Sequence, residues 1–196
     1  MSGVQALAAI GTGLNRKAPS GLPALLFLTD PSRTPDPVAV AARLPRGSGV
    51  VFRHFGALDR ADTARRLQAV CRRRGLVLLI GADAAMARAI GADGVHLAER
   101  QTQRRCRFKG LVTAAAHSRR GAMRAKAAGA EAVLMSPVFP SRSPSAGRAW
   151  GALKARRSAG VCPLPCYALG GVTARTARRL KSSAFIGLAA VEAFSA

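Results

Sequence analysis

Eight short apolar runs recur along the chain, at Ala24–Leu28, Gly49–Phe52, Leu76–Ile80, Gly94–Leu97, Leu111–Ala115, Ala132–Met135, Cys166–Leu169 and Ala184–Leu188. None alternates with polar residues, and each is fenced by glycine or polar residues. That is the pattern of strands buried on both faces. Helical segments lie between them. Asp59–Arg74 gathers Leu67, Val70 and Cys71 on one side and arginines on the other. Asp83–Ile90 ends at Gly91, and Ser118–Ala128 starts on an N-cap serine and stops before Gly129. Thr173–Leu180 starts on an N-cap threonine, and Ala189–Ser195 is read as a last helix. Strands alternating with helices dictate parallel pairing with right-handed crossovers. Eight such repeats close most economically into a compact α/β (β/α)8 TIM barrel. An open doubly wound sheet competes, but no GxGxxG follows the first strand. Residues 1–22 read as a loose N-terminal arm with at most one short helix, and residues 23–196 as the barrel domain.

The composition suits this reading. At 196 residues with 49% apolar content the chain can bury one core, and with 5% aromatics that core rests on Ala, Val, Leu and Ile. The net charge is +22, and 26 of the 31 basic residues are arginine. A nucleic-acid partner is ranked last, because the cations are scattered along the sequence with no recognisable binding motif. The four cysteines form no CxxC pair and read as reduced thiols of a cytoplasmic protein. The strongly apolar runs reach about five residues, against the ~20 needed to span a bilayer, so no membrane partner is expected.

Three segments carry a family resemblance: Gly91-Ala92-Asp93-Gly94-Val95-His96-Leu97, Ser136-Pro137-Val138-Phe139-Pro140-Ser141 and Ala168-Leu169-Gly170-Gly171-Val172. With the opening Leu26-Phe27-Leu28-Thr29-Asp30, their order and spacing resemble the thiamine phosphate synthase/TenI family from about residue 24 to the C-terminus. The resemblance implies a (β/α)8 barrel. It also implies one of two activities. A synthase joins a pyrimidine diphosphate to a thiazole phosphate and releases diphosphate, whereas a TenI-like tautomerase moves a proton on the thiazole phosphate.

In such a barrel the chemistry sits at the C-terminal ends of the strands, and phosphate is commonly held after strands seven and eight. Gly170, Gly171 and Gly187 are the expected phosphate cup, because glycine lets backbone N–H groups approach an anion. Arg53, Ser141 and Ser143 are the remaining substrate and phosphate candidates. His117, at the end of the fifth strand, is the expected acid–base catalyst, since its pKa lies near neutrality.

The synthase half departs from the family pattern. The position of a second-strand lysine is Phe55, the Asn-Asp pair after strand three is Gly81-Ala82, and a metal carboxylate falls on Gln101. The Thr-x-Thr-Lys segment reads Ser141-Arg142-Ser143-Pro144, and the fifth-strand serine falls on Ala115. Asp83 and Glu99 stand next to the lost carboxylates as weak replacements. Mg²⁺ is therefore expected only with a surviving synthase activity. The leading expectation is a TenI-like protein of thiamine metabolism that binds a small phosphorylated ligand. The alternatives are a working synthase with relocated Mg²⁺ ligands and a non-catalytic binding module. A homo-oligomer is left open.

Overall fold

A computed structural model describes residues 3–141 and 147–194. Eight strands form a closed parallel barrel in chain order. They are β1 (Leu25–Leu28), β2 (Gly49–Phe52), β3 (Val77–Gly81), β4 (Gly94–Leu97), β5 (Leu111–Ala116), β6 (Ala132–Met135), β7 (Cys166–Ala168) and β8 (Phe185–Ala190). The barrel closes where Leu25, Leu26 and Phe27 pair with Leu188, Ala189 and Ala190.

Period-two alternation splits the apolar residues between two cores. Leu26, Leu28, Val51, Leu79, Leu134 and Tyr167 fill the barrel. Leu25, Phe27, Val50, Phe52, Leu78 and Ile80 face the helices. A strand buried on both faces cannot alternate with polar residues, which is why every run reads as uniformly apolar. Glycine supplies the interior taper. A Cβ at Gly49 would lie 2.5 Å from Leu26 Cδ2, and one at Gly187 would lie 2.8 Å from the Tyr167 ring. Tyr167 is fully buried inside the barrel and satisfies its hydroxyl by donating to the Pro23 carbonyl at 2.8 Å.

Around the barrel run α2 (Pro37–Arg43), α3 (Arg60–Arg74), α4 (Ala84–Ile90), α5 (Arg119–Ala127), α6 (Gly151–Gly160) and α7 (Ala174–Ala177). Asp83 caps α4 through the Met86 N–H, and Ser118 caps α5 through the Gly121 N–H. Gly91 ends α4 in the left-handed region at φ 65°.

Two expectations at the chain ends are corrected. The supposed loose arm holds a docked helix, α1 (Gly3–Asn15), with Leu7, Ile10 and Leu14 buried. It lies along β8 and β1 and touches α7. Gly11 lets it approach the Ala24 carbonyl closely, and Asn15 Nδ2 donates to the Ile186 carbonyl at 2.8 Å. The expected last helix over Ala189–Ser195 is instead the end of β8 followed by a 3-10 turn at Glu192–Phe194. The two corrections are linked. A barrel needs its β8–β1 seam covered, and here α1 covers it from the other end of the chain. No helix among the described residues is long and apolar enough to cross a membrane.

Candidate active site

The C-terminal ends of the strands surround a cavity of about 680 Å³. Its lining includes Arg53, His96, His117, Ser141, Gly170 and Gly171, together with Arg33 and Glu192. Phe55, Leu169 and Val172 contribute apolar wall.

Arg53 follows β2 and is held from both ends by Thr29. Its N–H donates to Thr29 Oγ1 at 2.8 Å and its Nε to the Thr29 carbonyl at 3.0 Å. The side chain is half-buried. Burial lowers its pKa, nearby Asp30 raises it and Arg33 lowers it. Asp30 is itself held below the ordinary carboxylate range, chiefly by its hydrogen bond from Arg33, 2.7 Å away. Two arginines therefore face this side of the cavity, of which the sequence reading identified one. Arg33 lies in the proline-broken segment after β1, where no periodicity marks it.

His117 is the residue after β5, and Glu99 clamps it. Oε2 of Glu99 accepts from the His117 backbone N–H at 3.0 Å and lies 2.5 Å from its Nδ1. Oε1 accepts from Arg124 at 2.6 Å. Gly121 makes room for this carboxylate, because a Cβ there would fall within 2.9 Å of Glu99 Cδ. The clamp fixes the ring orientation and leaves Nε2 as the nitrogen open to a ligand. Glu99 does not line the cavity; its contact with a residue that does is the one to His117.

His96, on β4, is buried and shares a 2.9 Å hydrogen bond with Thr113 Oγ1. Burial drives its pKa from the ordinary 6.5 down to about 3, and the Arg53 cation pushes the same way. The imidazole is therefore neutral at the pH of the cell. In the unfolded chain it takes up a proton below about 6.5, whereas in the folded chain it does so only near 3. Stability is thus expected to fall as pH drops through that window, by up to about 1.4 kcal/mol per pH unit. Urea midpoints measured from pH 7 to pH 4 should decline less steeply in His96→Gln. His54, by contrast, is buried against Phe52, with ring centroids 5.1 Å apart, and points away from the cavity as strand alternation requires.

After β7, Gly170 (φ +95°) and Gly171 (φ +58°) adopt backbone that L side chains rarely enter. They also let the β6 and β7 loops meet. The Phe139 N–H donates to the Gly170 carbonyl at 2.9 Å, and a Cβ at Gly170 would lie 2.9 Å from Pro137 Cα. Beyond them Thr173 and Thr176 cap each other reciprocally at the start of α7.

The family model of thiamine monophosphate synthase matches residues 26–194. The chain is 32% identical over 187 residues to the thiamine-phosphate synthase of Geobacillus kaustophilus, covering 88% of this chain and 84% of that protein. It is 35% identical over 153 residues to that of Methylococcus capsulatus, covering 70% and 64%. Among solved structures, thiamine phosphate pyrophosphorylase from Pyrococcus furiosus superposes with a TM-score of 0.74 at 21% identity, covering 95% of this chain and 90% of that one. This chain belongs to the thiamine monophosphate synthase family. It is therefore a member of a thiamine-biosynthesis family whose ligands are phosphorylated thiamine precursors.

Against the family's synthase chemistry, the carboxylates here do not fit a Mg²⁺ site. Asp83 gives Oδ1 to the α4 N-terminus and Oδ2 to Arg60 at 2.8 Å. Those bonds hold it below its usual pKa range, the α4 cap contributing most. Glu99 spends both oxygens on His117 and Arg124. Gln101, at the family's carboxylate position, ties the β4 loop to the β3 loop, accepting from the Ala98 N–H and donating to the Ala82 carbonyl. Neither replacement ligand is available as arranged, and that expectation is corrected.

Gly187 is corrected as well. It lies inside β8, paired with Tyr167, three residues before the strand ends. Its missing side chain makes space for the Tyr167 ring, and the residues that line the cavity are Ala190, at the end of β8, and Val191 to Ala193 beyond it. Ser143 and Arg142 fall outside the described residues.

Proposed function

We propose that this family member binds a thiazole phosphate in the mouth cavity and isomerises it by proton transfer through His117. The observation that carries the reading is the Glu99–His117 clamp, 2.5 Å long, beside a cavity lined by two arginines. A carboxylate that accepts from Nδ1 makes Nε2 the working base and stabilises the imidazolium formed when it takes a proton. The same nitrogen then returns that proton to a second position of the substrate, so composition is unchanged and no leaving group departs. The roughly 680 Å³ volume suits a small heterocycle with one phosphate. Phe55 and Leu169 offer apolar contacts to the ring, and Arg53, Arg33 and the Gly170-Gly171 loop offer charge and N–H groups to the anion.

The test is calorimetry on the whole chain with three ligands in parallel: thiazole phosphate, thiamine phosphate, and pyrimidine diphosphate with Mg²⁺. Thiazole phosphate is expected to bind without metal. Tight Mg²⁺-dependent binding of the diphosphate would instead restore the synthase reading. Arg53→Gln is expected to weaken thiazole phosphate at least tenfold, roughly the contribution of a lost charge-assisted hydrogen bond. An unchanged Kd would remove Arg53 from the anion site.

A further inference from the structure

Basic residues that are scattered along the sequence are sorted by the fold. Every strand points towards the mouth, so each helix that follows a strand starts on the mouth side and ends on the opposite face. Seven of the nine carboxylates stand at mouth-side ends: Asp30, Asp36, Asp59, Asp62, Asp83, Glu99 and Glu192. The other two, Asp93 and Glu131, lie on turns entering β4 and β6. There they accept the N–H groups of Leu78 and Val112 at 2.7 and 3.1 Å. The face opposite the mouth is thus left strongly positive.

We propose that this face binds the phosphate backbone of a nucleic acid. The seat is an arginine cluster at the ends of α2, α3 and α4, formed by Arg43, Arg46, Arg72, Arg73, Arg74 and Arg88, all exposed. Its turns are knit together. The Gly47 N–H donates to the Gly75 carbonyl at 2.9 Å, and Arg74 donates to the Leu44 carbonyl at 3.2 Å. The Arg46 guanidinium packs over Gly75 and that of Arg72 over Gly91. Arg43 and Arg74 also line one cleft of about 310 Å³.

A helix macrodipole favours a cation or two at a C-terminus. It does not account for three consecutive arginines with two more, Arg43 and Arg46, across the adjoining turn, where like charges repel. A polyanion relieves that repulsion. Six arginines and no lysine present planar forks that match phosphate oxygens. Among the described residues the exposed large apolar side chains are Phe55, Leu58, Met123, Leu153 and Val161, and none belongs to the cluster. The cluster therefore has no wedge to enter a bilayer, which favours a nucleic acid over a lipid surface. It also has no exposed aromatic on which to stack a base, so binding is independent of sequence.

The test is fluorescence anisotropy with a labelled 20-base-pair DNA duplex between 50 and 200 mM NaCl. Binding is expected to weaken with a log–log slope of about −4 to −5, the release expected for roughly five phosphate contacts. The variant Arg43→Gln/Arg46→Gln/Arg72→Gln/Arg73→Gln should flatten that slope by about 3 and raise Kd at 50 mM salt by about 100-fold. A control with the same charge change at mouth-side positions, Arg100→Gln/Arg119→Gln/Arg120→Gln/Arg175→Gln, should keep the wild-type slope. Circular dichroism on both variants checks that they fold. Equal losses in the two variants would make the effect one of net charge and overturn the proposal. So would the absence of duplex binding at 50 mM salt, or anionic phosphatidylserine vesicles binding more tightly than DNA with the same dependence on the cluster.

Discussion

His117→Ala is expected to reduce turnover of a thiazole phosphate by roughly 10²–10⁴-fold, the usual contribution of a positioned acid–base group. Binding should change little, because the anion contacts proposed above come from Arg53, Arg33 and the β7 loop, which line the cavity apart from His117. Conversion is followed by NMR of the ligand, and Kd by calorimetry. A variant that turns over at the wild-type rate would exclude His117 as the base. Glu99→Gln separates positioning from chemistry. Glu99 lies outside the cavity lining, so its loss should lower kcat by about tenfold and leave KM unaltered. If KM rose instead, the carboxylate would be shaping the ligand site directly. Glu99→Asp, which keeps the charge on a shorter arm, should recover part of the rate if orientation of the ring is what matters.

The largest effect on stability is expected from Gly94→Ala. Gly94 opens β4 between Leu79 of β3 and Leu111 of β5. A Cβ there would lie 2.9 Å from the Leu111 carbonyl carbon, closer still to its oxygen, and against Leu79 Cδ2. The Leu79 side chain already fills the barrel, and the Leu111 carbonyl belongs to the backbone of the next strand. Relief requires parting β4 from β5 in a barrel that has no free edge. Overpacking of this kind costs about 3 kcal/mol or more. At about 2–4 °C per kcal/mol for a chain of this size, Tm should fall by roughly 6–12 °C. Gly13→Ala is the contrasting case. Its Cβ would meet nothing within 4 Å on the exposed face of α1, so the change should raise stability by about 0.5–1 kcal/mol. Similar Tm values for the two variants would refute the close-packing argument at Gly94.

Much of the barrel was legible because both of its signals are local. Gly49–Phe52, Gly94–Leu97 and Ala132–Met135 are strands at the residues where the apolar runs begin and end. Asp83, Ser118 and Thr173 cap the helices that their types foretell. The sequence reading passed over α2 and α6. α2 opens with Asp36-Pro37 inside a proline-rich stretch, and α6 begins on Gly151, a poor helix former. Arg53, His117, Ser141, Gly170 and Gly171 do meet at one cavity, because a parallel barrel collects the ends of all its strands at one mouth.

The sequence by itself determined the number, order and direction of the strands, since apolar run length, period and capping are properties of neighbouring residues. Only the tertiary structure decided what non-adjacent residues do to each other. Glu99 became the partner of His117, 18 residues away, and is no longer a free carboxylate. Gly187 became the space for a tyrosine ring and not a phosphate contact. The N-terminal segment became the cover of the β8–β1 seam, and seven carboxylates gathered at the mouth, leaving six arginines together at the opposite ends of α2, α3 and α4. Each of these depends on distances across the closed barrel, and the order of residues along a chain does not encode such a distance until every strand has found its neighbour.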